Sequence, residues 1–144
     1  NTKVNADALY PHDIAHRAFE MRYSTDLEDP TRLMLQKYWD NLKDFYNGRE
    51  ENGIAVVDVS GSMSGVPMEA AVSMGAYIAD KAHGPFANHF ITFSARPQLV
   101  KFEGVDIVDK FNRCRRAFTR LRYYWCYPFS THFIVYVSYL GVRY

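Results

Sequence analysis

The sequence is poor in cysteine. It has two, Cys114 and Cys126, in 144 residues, with neither CxxC spacing nor the spacing of a structural zinc site. That excludes a disulfide scaffold and reads as two reduced thiols in a cytoplasmic protein. No apolar run approaches the roughly 18 residues a membrane helix needs, so no membrane span is expected. No GK[ST] tripeptide is present, which removes a Walker-type phosphate loop. The opening NTKVNADALYPHD lacks both an apolar signal-peptide core and a starting methionine, and the chain is read as a fragment.

The most uneven absence is of acid. Nothing acidic follows Asp109: residues 1–109 carry 10 Lys/Arg against 16 Asp/Glu, residues 110–144 carry 7 Lys/Arg and none, and the net charge of +1 hides this split. The same tail holds 11 of the chain's 23 aromatic residues. Arginine mixed with aromatics, as in RCRRAFTRLRYYW (113–125), is a composition that can grip RNA by phosphate pairing and base stacking. The plainer reading is an ordinary amphipathic segment or non-native sequence.

Hydrophobic composition of 48% with 23% charged residues is that of a globular chain. Residues 10–23 suit a short helix with Pro11 in its first turn. Residues 30–47 suit a second. Asp29 before Pro30 supplies an N-cap, Leu35, Tyr38, Leu42 and Phe45 make one apolar stripe, and Gly48 is a stop. IAVV (54–57) reads as a strand buried on both faces. Pro67 opens a helix to about His83, with Met68, Ala71, Val72, Gly75, Ile78, Ala79 and Ala82 on one face. HFITFS (89–94), LVKF (99–102) and FIVYVSYL (133–140) read as strands, the first two as hairpin partners, and 105–118 as a helix. The alternation predicts an α/β sheet domain over 51–144, preceded by a helical segment over 1–50.

The chemistry concentrates in DVSGSMSG (58–65). Asp58, Ser60 and Ser62 put one carboxylate and two hydroxyls on alternate residues between a strand end and a helix start. Hard oxygen donors of this kind suit Mg²⁺, Mn²⁺ or Ca²⁺. In open α/β sheets, ligands sit beyond the carboxyl ends of the strands. Two other readings apply to the same loop. Asp58 could simply cap the following helix. GSMSG fits the nucleophile-elbow spacing, but Met63 stands where the serine must be. His12 and His16, four apart in HDIAH, match a zinc-helix spacing, yet Asp13 replaces the glutamate and no third ligand is evident, so a solvated helix face is the reading.

DVSGSMSG resembles the Asp-x-Ser-x-Ser motif of von Willebrand factor type A domains, their metal-ion-dependent adhesion site. The longer run IAVVDVSGSMSGVPMEAAVSMGAYIAD…FITFSARPQL is similar to the Ro-autoantigen-like branch, including the family catalogued as DUF 2828. The resemblance covers about residues 10–110 and implies a partial Rossmann-like, mostly parallel sheet with flanking helices. It implies Asp58, Ser60 and Ser62 as metal ligands, with Thr131, in WCYPFSTHF, as the match to a second-loop threonine. The expected third-loop aspartate has no counterpart after Asp109. Residues 113–144 depart from the pattern, either as divergent native sequence or as an out-of-frame continuation.

The expected function is divalent-metal-dependent recognition of an acidic side chain on a protein partner. The alternatives are an RNA-binding component of a Ro-like ribonucleoprotein, or a fragment whose loop is structural only. No general base, nucleophile or cofactor loop is visible, so an enzyme is not expected.

Overall fold

The computed structural model describes residues 9–44, 53–119 and 136–139. In chain order the elements are α1 (Pro11–Glu20), α2 (Pro30–Asp40), β1 (Gly53–Asp58), α3 (Val66–Lys81), β2 (His89–Phe93), β3 (Leu99–Lys101), α4 (Ile107–Thr119) and β4 (Tyr136–Tyr139).

The local signals explain most boundaries. Pro11 starts α1, and the Asp13 carboxylate accepts the Tyr10 N–H at 2.9 Å, satisfying a donor the helix leaves over. Asp29 caps α2 by accepting from the Thr31 N–H at 2.8 Å. That helix ends earlier than the stripe suggests. Asn41 turns its amide back to the Lys37 carbonyl at 2.8 Å, closing the last turn. Gly48 and Phe45 lie outside the described residues. Gly65 takes φ +86°, a conformation glycine adopts without strain, and α3 begins at the next residue.

The sheet has the order β3-β2-β1-β4, so β1 is interior. The α/β class holds, but the expectation of a mostly parallel sheet does not. Only β1 and β2 are parallel, with Asp58 registered on Phe93; β2–β3 and β1–β4 are antiparallel. The connection 94–98 is too short for the crossover of about a dozen residues that a parallel pair requires, so β3 reverses direction as a hairpin. β4 meets β1 antiparallel and therefore runs in the same direction as β3.

One face of the sheet, carrying Ala55, Val57, Phe90 and Val100, joins the core. Helix α3 lies directly on it: a methyl at Gly75 would overlap Val57 Cγ2. Ala71, Val72, Ala76, Tyr77 and Ala79 bury the rest of α3 between the sheet and α1. Helices α1 and α2 contribute Ile14, Ala15, Ala18, Leu35 and Trp39 to that same core, which is therefore continuous with the sheet. On the opposite face, Phe93 and Leu99 are exposed.

Trp39 is the centre of an aromatic group. Its ring lies 5.3 Å from that of Phe111, 5.8 Å from Phe102 and 6.4 Å from Tyr77. Its indole N–H donates to Asp80 at 2.9 Å, and Lys110 holds the other oxygen of Asp80 at 3.1 Å. Helices α2 and α4 are joined by a buried ion pair. Arg32, 4% exposed, places Nε at 2.7 Å and Nη2 at 2.8 Å from the two oxygens of Asp106. Asp106 also accepts the Asp109 N–H at 2.7 Å, and Gln36 accepts that of Ile107 at 2.7 Å, so α2 caps the start of α4. Burial pushes the Asp106 carboxyl upward in pKa, but the hydrogen bond from Arg32, the amide of Asp109 and the Arg32 charge outweigh it and hold it below its ordinary value.

Candidate metal centre at the carboxyl end of β1

Asp58 ends an interior strand, as the sequence pattern required. The Val59 N–H continues the ladder to the Phe93 carbonyl at 3.0 Å, so the strand direction persists one residue past Asp58. The chain then turns. The Asp58 Oδ1 accepts the Ser60 N–H at 2.9 Å, which folds the carboxylate over the start of the loop, and among the described residues Oδ2 has no hydrogen-bond partner. A short 3-10 turn, Gly61–Met63, follows, closed by the Met63 N–H to the Ser60 carbonyl at 3.0 Å. Ser64 Oγ donates to the Gly61 carbonyl at 2.9 Å. The alternative in which Asp58 caps α3 is not what the chain does. The N-cap of α3 is Gly65, without a side-chain cap, and Asp58 closes its own loop instead.

Asp58 and Ser60 are both partly buried and two residues apart at this strand end. Ser62 lies inside the 3-10 turn, and its side chain is outside what the structure describes; Thr131 lies outside the described residues altogether. The strand that follows Thr131 enters the sheet with Tyr136 opposite Val56, at the same end of β1 as Asp58. The donors described here, one carboxylate and one hydroxyl, are hard oxygen and fit Mg²⁺ or Mn²⁺ better than a soft metal. Among the described residues no group of three or more His, Cys, Asp and Glu is placed to hold a metal.

The histidine pair has other work. His16 Nδ1 lies 2.9 Å from Glu69 at the start of α3, and Nε2 lies 3.6 Å from Glu20, so His16 ties α1 to α3. His12 stands 3.5 Å from Asp13. Cys114 is a buried free thiol, its pKa pushed up to about 12 by burial. Cys126 and residues 120–125 of the basic aromatic segment lie outside the described residues. Of its arginines within α4, Arg113 pairs with Asp109 at 2.8 Å.

The sequence reading overlooked the Arg32–Asp106 and Trp39–Asp80–Lys110 links. A signal existed for the first. Arg32 falls three residues before Leu35, on the buried stripe, and Asp106 stands just before a helix start, where capping aspartates belong.

The fold and this strand end define an α/β domain with an oxygen-bearing loop beyond an interior strand. The chain belongs to the family described as Domain of unknown function (DUF7788), whose model matches residues 52–124. It is similar to an uncharacterized protein of Acanthamoeba polyphaga mimivirus, 32% identical over 118 residues, a match spanning 81% of this chain and 19% of that protein. No solved structure matches. These relations correct the resemblance to von Willebrand factor type A and Ro-autoantigen-like proteins, since neither the family nor the relative leads to them. Strand, loop and helix in the order seen here recur in unrelated α/β domains, and a short Asp-x-Ser-x-Ser match does not separate them. No helix among the described residues is long and apolar enough to cross a membrane.

Proposed function

We propose that the loop after β1 binds a divalent cation, Mg²⁺ or Mn²⁺, and that the domain uses it to recognise an acidic group on a protein partner. The observation that carries this reading is Asp58 at the carboxyl end of an interior strand, with one carboxylate oxygen folded onto the Ser60 amide and the other left over. Asp58 and Ser60 would supply the first ligands, with Ser62 as the further oxygen donor in the loop. So few anionic ligands leave the cation with residual positive charge and with positions held by water. A partner carboxylate can replace such a water, and the bridge is then lost with the metal. The reading is of a binding domain, built on the oxygen donors of this loop.

The experiment is isothermal titration of Mg²⁺ and Mn²⁺ into the wild-type chain and into Asp58→Ala. Saturable heat for the wild type and none for the variant is expected. Identical isotherms, or no heat from either protein, reject the cation site.

A further inference from the structure

We infer that Met63 is a positioning residue that sets this loop's geometry for its cation, an inference that rests on the reading above. Val59 and Met63, each 6% exposed, belong to the main core, while Gly61 and Ser64 between and beyond them are exposed. The loop is thus pinned at two places by apolar side chains. Val59 is held anyway by the strand ladder. Past Ser60 the loop has only serine, glycine and Met63, so Met63 is the one side chain there large enough to enter the core. Downstream, Gly65 at φ +86° joins the loop to α3 without a cap. The Met63 N–H to Ser60 carbonyl bond then carries that fixation back to the ligand-bearing residue. Removing the Met63 side chain leaves residues 60–64 ordered by their own hydrogen bonds alone, and the cation must order them on binding.

The test is Mg²⁺ and Mn²⁺ titration of wild type, Met63→Ala, Met63→Leu and Asp58→Ala, well below the melting temperature of the weakest protein. Circular dichroism melts establish that each is folded. Freeing part of a loop costs of the order of one backbone well on binding, so Met63→Ala should bind about tenfold more weakly. Met63→Leu, of similar volume, should return to within about twofold of wild type. A folded Met63→Ala with wild-type affinity overturns the inference, because a purely structural residue would lower the melting temperature alone. If Met63→Ala does not fold, Met63→Val is read by the same criterion. Loss of binding in wild type, or its retention in Asp58→Ala, instead refutes the cation reading itself, and this inference falls with it.

Discussion

Substituting Gly75 by alanine tests the tightest contact between α3 and the sheet. Alanine favours a helix over glycine by about 1 kcal/mol, so on propensity alone the change should stabilise α3. The structure argues for the opposite sign. The added methyl would meet Val57 Cγ2 well inside van der Waals contact, whereas its next neighbours, Val57 Cβ at 3.6 Å and Phe90 Cδ2 at 3.8 Å, sit at ordinary distances. Val57 is fully buried, and its branched side chain is stiff at χ1, so it cannot swing aside as a lysine or methionine would. Forcing one methyl into a packed core typically costs about 1–3 kcal/mol. The expected balance is a net loss of roughly 1 kcal/mol, or several degrees in Tm for a domain of this size. Urea denaturation followed by circular dichroism would measure it. Val57→Ala makes room for the methyl, so the double variant should be more stable than the sum of the two single losses implies. Because Val57 precedes Asp58, Gly75→Ala should also weaken any cation binding at the strand end. An unchanged or raised midpoint for Gly75→Ala, or strict additivity in the double variant, would refute the close-approach argument.

Asp106→Asn should cost about 3–5 kcal/mol at neutral pH, since it leaves Arg32 buried without its counter-charge. Asp106 is held below its ordinary pKa when folded. Its contribution is therefore fully present above the unfolded value near 3.9 and disappears as pH falls through the lower folded value. Stability measured from pH 5 down to pH 2 should decline less steeply in the asparagine variant, and parallel curves would contradict the assignment. Trp39→Phe keeps an aromatic ring but deletes the donor to Asp80, so a loss of about 1–3 kcal/mol is expected by urea denaturation. In a Cys126→Ser background, Cys114 should resist iodoacetamide at pH 8 in the folded protein and react once urea is added. Burial and a thiol pKa near 12 both protect it, and equal rates in the two states would argue against its placement in the core.

Element by element, the sequence was most legible where a local signal coincided with a periodic one. Asp29-Pro30 fixed the start of α2, and the glycine, alanine and valine positions of α3 identified the face that meets β1. Reading failed where a residue's partner is distant in sequence. Trp39 and Arg32, not only the Leu35 stripe, form the buried side of α2, because Asp80 and Asp106 complete them from 41 and 74 residues away. The antiparallel β2–β3 hairpin was legible from the sequence, but the direction of β4 was hidden. A run such as FIVYVSYL reports apolar character but not strand direction. Ser73, Ala76 and Tyr77 escaped the one-face reading of α3 because other helices also pack on it: α1 lies against α3, and Tyr77 meets Trp39 of α2.

The candidate site separates two kinds of inference that the motif had merged. One assigned Thr131 by family likeness alone, and the family found here withdraws that support, whereas Ser62 rests also on its spacing in the loop. The other asked only where the chain must place Asp58, and that depends on hydrophobic pattern and topology. IAVV is buried enough to require an interior strand, the ladder to Phe93 extends it to Val59, and the next residues cannot continue because they are serine and glycine. A carboxylate at that point faces a choice between solvent, the helix start and its own loop. The structure shows the third, with the Ser60 amide on one oxygen. An aspartate so held is already oriented and needs little rearrangement to accept a cation on its other oxygen. The same arrangement without a cation is simply a closed turn, so the discriminating quantity is affinity. If Asp58→Ala changes stability but wild type takes up no Mg²⁺ or Mn²⁺, the loop is a structural turn and the proposed recognition role falls with the cation.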